Sequence, residues 1–194
     1  MVMVLWKLAG QPSEAEQIGK SYYENLYRIA AAVTSARNPE DVLSSIVENV
    51  TQCMAAKGCA LMLLTWDRKL LLHTVCYGLS ESYIRKGPLT VDESIRKALE
   101  GEPVVVLDAT NDEWIQYPEA ARKEGIKSML TVPITFREEN IGILRVYTSE
   151  PRQFSEDDIY FARAITHLGA IALDNAKRYD RLQEGYETFR GRTF

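Results

Sequence analysis

Two long apolar segments joined by a short charged turn constrain this chain more than any other feature. Ser128-Met129-Leu130-Thr131-Val132-Pro133-Ile134 is followed by Arg137-Glu138-Glu139-Asn140 and then by Ile141-Gly142-Ile143-Leu144-Arg145-Val146-Tyr147. A connection this short joins antiparallel strands, because parallel neighbours need a crossover of a dozen residues or more. The next segment, Phe154-Ser155-Glu156-Asp157-Asp158, has the spacing of a helix start. Ser155 caps, Asp158 answers from the third helical position, and Phe154 precedes the cap as a hydrophobic staple does. An Ala-rich helix follows, so the last third of the chain reads as a sheet layer backed by a helix.

Upstream, Ser13 and Glu16 have capping-box spacing and predict a helix to about residue 37. Asn38 then caps a second helix, with Pro39 at its first position, where the missing N–H costs nothing. Val42, Ile46, Val50 and Met54 share one face of that helix. Residues 59–65 and 70–77 predict a hairpin around Asp67-Arg68-Lys69. Asp92 caps a short helix over 93–100, stopped at Gly101, and 103–107 reads as a short buried strand. Residues 108–124 are polar and partly helical, with Trp114, Tyr117, Ala120 and Ala121 packing inward. The order predicts an α+β fold with a central antiparallel sheet. The domain layout is a lead-in over 1–12, one domain over 13–182, and a helical extension and tail over 183–194.

Bulk properties narrow the function classes. Of 194 residues, 46% are apolar and 26% charged, enough for one domain with its own core. The net charge of −4 and the absence of a basic run argue against a nucleic-acid partner. No stretch approaches the ~18 apolar residues of a membrane span, so the expectation is a cytoplasmic protein without a membrane partner. Three cysteines, too few and odd in number for a disulfide scaffold, fit a reducing compartment.

Both terminal helices carry two apolar stripes. In the last helix one runs Ile159, Ala162, Thr166, Gly169, Leu173, Ala176. The other runs Phe161, Ile165, Leu168, Ala172, Asn175, Tyr179, Leu182, Tyr186, Phe189 and outlasts the first at heptad spacing. The first helix shows Ile18, Tyr22, Asn25, Ile29, Ala32 and Ala36 beside Tyr23, Leu26, Ala30 and Val33. This doubling predicts a homodimer joined by both helices, with Tyr22, Asn25, Ile29, Ile165, Leu168, Asn175, Tyr179, Leu182 and Tyr186 in the seam. The alternative is that both stripes are core within one subunit. Gly169 suggests a close approach of helix to sheet.

From about Tyr22 to Leu182, the order and wording of these segments resemble the GAF family of sensory domains. The resemblance implies a five- or six-stranded sheet, with the N- and C-terminal helices on one face and pocket-covering segments on the other. It also implies a signal-input module that binds a small molecule or a partner and relays a conformational change through its terminal helices. The output would be a separate effector such as a histidine kinase or regulator. Candidate ligand contacts are Tyr83, Ser94, Asp108, Trp114, Tyr117, Ser128 and Arg145. Arg145 interrupts an apolar strand and shares a face with Ile143 and Tyr147 by alternation. Its fork of donors suits a carboxylate or phosphate, or an acid such as Asp108 or Glu113. Asp92 and Ser94 serve equally as helix caps.

Family members with chemistry of their own match less well. Cys53, Cys59 and Cys76 lie outside the covering segments, which disfavours a free-methionine-sulfoxide-reductase-like enzyme and a covalent bilin. They read as small buried residues. His73 and His167 have no partner that would suggest haem or metal. Phe154 and Asp158 match part of a cyclic-nucleotide motif, but Ile159 stands where that motif has Glu. No catalytic set and no cofactor are predicted. A ligand-free scaffold, its pocket filled by Trp114 and Tyr117, is the alternative to a sensor.

Overall fold

The computed structural model describes residues 14–35 and 39–190, with backbone alone at 14–18, 32, 34, 35, 39 and 175–190. Helices α1 (Glu14–Ser35) and α2 (Pro39–Cys53) lead into a hairpin of β1 (Gly58–Leu64) and β2 (Leu70–Tyr77). Then come α3 (Glu81–Ile84), β3 (Leu89–Thr90), α4 (Glu93–Leu99), β4 (Val104–Val106) and α5 (Pro118–Glu124). The chain closes with β5 (Ser128–Phe136), β6 (Glu139–Thr148) and α6 (Glu156–Arg190). The strands form one six-stranded antiparallel sheet in the order β3-β2-β1-β6-β5-β4. The α+β reading holds, and only the tiny α3 and β3 were not foreseen. Neither is long enough to carry a periodic signal. The lead-in over 1–12 and the caps Ser13 and Asn38 lie outside the described residues.

The β5–β6 turn is tighter than expected. Phe136 pairs with Glu139, which leaves Arg137 and Glu138 alone as the loop, at φ 47° and 68°. Positive φ at both positions is the type I′ geometry, whose twist matches that of the strands.

Two cores lie on opposite faces of the sheet. On one face α1, α2 and α6 cover Cys59, Leu61, Leu130, Val132, Ile134, Leu144 and Val146. The helix side contributes Ile29, Val42, Ile46, Val50, Met54, Phe161 and Ile165, all buried. The predicted face of α2 is thus spent on this core. On the other face Ala60, Met62, Leu71, Met129, Ile143 and Tyr147 pack under Tyr83, Leu89, Ile95, Ala98, Ala121 and Ile126.

The start of α6 is locked where the capping box predicts. Ser155 Oγ accepts from Asp158 N at 3.2 Å, and Asp158 Oδ2 accepts from Ser155 N at 2.9 Å. Asp158 does more than cap. Its Oδ1 accepts from the Tyr22 hydroxyl at 2.6 Å and from Arg152 Nη2 at 2.9 Å. Arg152 also donates to the carbonyl of Met54 at the end of α2. The Tyr22 ring stacks on Phe161 at 4.2 Å. One carboxylate therefore ties α1, α2 and α6 together.

Over the described side chains, much of the two stripes of α1 and α6 is used inside the subunit, Tyr23 being the clear exception. Tyr22, Ile29 and Ile165 are buried in its own core. Leu168 is half-buried against that core, and Asn25 donates to the Ser21 carbonyl at 2.8 Å. Tyr22, Ile29 and Ile165 are thus spent within the subunit, as the alternative of an internal core has it, whereas Asn25 and Leu168 keep part of their surface. The side chains of Asn175, Tyr179, Leu182 and Tyr186 lie outside the described residues. Among the described residues, the large apolar side chains left exposed on these two helices are Tyr23, Tyr27, Tyr160 and Ile171. Gly169 is not forced by close approach. A Cβ there would meet Ile46 Cδ1 at 3.7 Å, an ordinary contact.

Candidate functional site

The sheet face away from the terminal helices holds a basic cluster in which Arg145 is buried and His73 and Lys86 are half-buried. Strand alternation puts Arg145 of β6 on this face beside Ile143 and Tyr147, and across from Thr131 of β5. Arg145 is only 9% exposed, and its Nε donates to Thr131 Oγ1 at 2.9 Å. On β2 the register jumps from Leu61↔Val75 to Met62↔His73, leaving Thr74 as an extra residue. That bulge brings His73 and Cys76, three residues apart, onto the same face.

Lys86, just beyond α3, reaches into the cluster from above. Its Nζ lies 3.1 Å from His73 Nε2, donates to the Tyr83 carbonyl at 3.2 Å, and sits 3.7 Å from the centre of the Tyr83 ring. Burial, then the nearby Arg145 charge, lowers the Lys86 pKa to about 8. Burial, then Lys86 and Arg145, lowers that of His73 to about 4. At neutral pH His73 is therefore neutral, and its Nε2 accepts from the Lys86 ammonium. Its proton then sits on Nδ1, which is buried and meets no protein partner. Burial pushes the Cys76 thiol up, so this residue is a poor nucleophile.

A charge whose proton is held less tightly in the folded chain than in the unfolded one costs stability while protonated. For Lys86 that cost is present at pH 7 and fades as pH climbs from about 8 to 10.5. Replacing Lys86 with Met is expected to stabilise the domain at neutral pH by about 1 kcal/mol, once solvent screening is allowed for. Thermal melts of the two proteins across this range check it: the gap should close as the medium becomes alkaline.

Lys86 and Arg145 both line a small cavity roofed by Trp114, Ile115, Gln116 and Tyr117, with Tyr83, Leu89 and Met129 completing its wall. None of its lining residues is acidic. The volume is about 10 Å³, room for one water-sized group. Gln116 clips the roof to the rest of the cover. Its Oε1 accepts from Thr90 N at 2.8 Å and Thr90 Oγ1 at 2.9 Å. Its Nε2 donates to the Thr90 carbonyl at 2.8 Å and to Asp92 Oδ2 at 2.6 Å. The Tyr117 hydroxyl donates to the Pro88 carbonyl at 2.9 Å. Replacing Gln116 with Ala removes this clip at a cost of about 1 kcal/mol. Hydrogen-exchange mass spectrometry should then find amides 114–117 exchanging faster, with the sheet unchanged.

The candidate contacts thus divide. Tyr83, Trp114, Tyr117 and Arg145 converge on the cavity. Ser94 stays at the start of α4, where it donates to the capping carboxylate of Asp92 at 3.0 Å. Asp108 is exposed and closes its own turn by accepting from Thr110 and Asn111. Ser128 faces the other way: its hydroxyl donates to the Leu107 carbonyl and accepts from Arg152 N. Arg145 pairs with neither Asp108 nor Glu113, and no ion pair among the described residues involves Arg145 or Lys86. The residues not foreseen are Lys86, Gln116 and the placement of His73. Lys86 lies in a polar stretch without periodicity, and the Thr74 bulge breaks the alternation that would have phased His73.

Among the described residues no helix is long and apolar enough to cross a membrane, and no group of His, Cys, Asp and Glu is arranged to hold a metal. No curated protein matches the chain. Solved structures similar to it include the GAF domain of a phosphoenolpyruvate-protein phosphotransferase from Coxiella burnetii, 21% identical with a TM-score of 0.72. That match covers 84% of this chain and 98% of the other. A domain of a putative two-component sensor histidine kinase from Sinorhizobium meliloti 1021 is 20% identical with a TM-score of 0.65, covering 76% of this chain and 99% of the other. The phycoerythrobilin-bound GAF domain of a cyanobacterial phytochrome is 18% identical with a TM-score of 0.65, covering 82% and 97%. Identities this low speak for the fold alone. The family model for the GAF domain matches residues 36–174, and the chain therefore belongs to this family of sensory, ligand-binding domains.

Proposed function

We propose that this chain is a signal-input module in which a small molecule occupies the Arg145 cavity and moves the cover. The change then passes through the sheet into the terminal helices. One observation carries the reading. On β6, Arg145 lines the cavity while its neighbours Leu144 and Val146 pack in the core beneath the terminal helices. A shift of this strand is felt on both faces, because close-packed cores transmit displacement instead of absorbing it. GAF domains are generally non-catalytic, and the half-buried Cys76, its thiol pushed up by desolvation, gives no reason to propose redox chemistry here.

In this reading two copies pair through the helices, and the output is taken up by a separate effector such as a histidine kinase or regulator. The exposed Tyr23, Tyr27, Tyr160 and Ile171 supply apolar surface for that pairing. A second reading, a ligand-free scaffold, draws support from the small volume left under Trp114 and Tyr117.

Native mass spectrometry of protein purified without additives separates the two. A dimer with denaturation-labile extra mass, whose removal speeds hydrogen exchange in both the cover and α6, is expected for a sensor. A dimer at bare mass whose exchange responds to no added metabolite favours the scaffold. A monomer at micromolar concentration in sedimentation overturns the pairing in either case.

A further inference from the structure

We propose that the cavity takes the oxyanion group of a small ligand, a carboxylate or a phosphate, held between the Arg145 guanidinium and the Lys86 ammonium. The inference rests on the sensor reading and specifies the chemistry of its ligand. Two cations line one narrow pocket, and no acid lines it with them. Buried charges are ordinarily paired, since removing an ion from water costs several kcal/mol (roughly) without a partner. Here the pairing is missing on the protein side.

The hydrogen-bond inventory points the same way. Arg145 commits Nε to Thr131, and among the described residues the terminal nitrogens of its fork meet no hydrogen-bond acceptor. Lys86 commits bonds to His73 and to the Tyr83 carbonyl. Behind it, His73 Nδ1 is a buried donor without an acceptor among the described residues. The cluster is a surplus of donors, and the group that answers such a surplus accepts only. Carboxylates and phosphates do so, and the guanidinium fork matches either in two-point geometry. The Tyr83 ring 3.7 Å from Lys86 accounts for how the fold tolerates its charge.

Size adds a coupling. The space fits one water-sized group, so a ligand carrying an oxyanion enters only as the roof at Trp114 and Tyr117 moves outward. Occupancy and roof position are then one event, and the ligand biases the cover by its differential affinity for open and closed forms. The charged and titratable groups facing Lys86 are His73 and Cys76 from β2, Tyr83 from α3, Glu124 from α5 and Arg145 from β6. Binding of an anion opposes the burial that depresses the Lys86 pKa, so binding is accompanied by proton uptake and weakens as pH rises past about 8.

The test uses the full chain and two probes, inorganic phosphate and pyruvate, followed by NMR of the His73 ring and the labelled Lys86 side chain. At neutral pH at least one probe is expected to shift both signals in the millimolar range. Arg145→Gln and Lys86→Met, each confirmed folded by its melt, should weaken that binding at least about tenfold, the loss expected for one charged hydrogen-bond partner. Preference between phosphate and pyruvate identifies which oxyanion the site suits. The proposal is overturned if neither probe moves these signals in the folded protein, or if both substitutions leave the affinity unchanged. Hydrogen exchange of α6 keeps the two readings apart. Probe binding without any change in α6 supports the oxyanion site and overturns the relay. A co-purifying neutral molecule that alters α6 while both probes fail does the reverse.

Discussion

Replacing Asp158 with Ala is expected to lower the unfolding free energy by about 3 kcal/mol, the cost of stripping the partner from a buried ion pair. Asp158 is 5% exposed, and its carboxylate accepts from Tyr22, Arg152 and the Ser155 amide. Its removal leaves the Tyr22 hydroxyl and the Arg152 guanidinium short of an acceptor and takes away the cap of α6. Urea unfolding at neutral pH measures the loss. The pH dependence has a defined sign. Burial by itself would raise the Asp158 pKa, but the Tyr22 and Ser155 hydrogen bonds and the Arg152 charge outweigh it, and the result is lower than the ordinary 3.8. Stability from this group is therefore present above that value and is lost as the medium is acidified through the depressed one. The difference between wild type and Asp158→Asn should narrow in strong acid. A Tyr22→Phe variant, which keeps the ring stacked on Phe161, should lose only about 1 kcal/mol.

Gly142→Ala is expected to cost about 3 kcal/mol or to prevent folding. A Cβ at this position would lie 2.2 Å from the Met62 carbonyl oxygen and 3.1 Å from the Leu63 Cα. Both atoms belong to the backbone of β1, the central partner of β6, so no side chain can swing aside. Relief requires the two middle strands to separate, which disturbs both cores, and overpacking of this kind costs ~1–3 kcal/mol even where side chains can adjust. Gly169→Ala is the matched control. Its Cβ would find only ordinary contacts with Ile46 and Leu61, and helix propensity favours Ala by about 1 kcal/mol. Chemical denaturation should find the first variant crippled and the second at least as stable as the parent.

How much was legible depended on whether a feature was local. The Ser155–Asp158 box could be read directly, because both partners lie within one helical turn. The ties from the same carboxylate to Tyr22 and Arg152 could not, since Tyr22 is 136 residues away. Arg145 stood out because a charged residue interrupted an apolar strand, and alternation gave its face. Ser128 did not yield its face, because β5 is buried on both sides and its pattern carries no phase. Asp108 looked like a polar contact but sits in an exposed turn. Trp114 and Tyr117 were recognisable as apolar residues in a polar segment, although their degree of closure was not. Lys86 was overlooked because a lysine in a charged loop ordinarily points to water, and only the fold brings it over the sheet.

The extra residue in β2 has one further consequence, for insertions and deletions. Losing a residue from a strand normally exchanges inside for outside along everything that follows, much as a frameshift scrambles a message. Thr74 is the exception, because the present pairing already steps over it between His73 and Val75. Deleting Thr74 should straighten the strand while leaving His73 and Cys76 on the cavity face and Val75 on the helix face. A chain lacking Thr74 is therefore expected to fold with its basic cluster intact, whereas one lacking Leu72 is not. Comparing the melts of the two deletions would show that the strand carries one silent position.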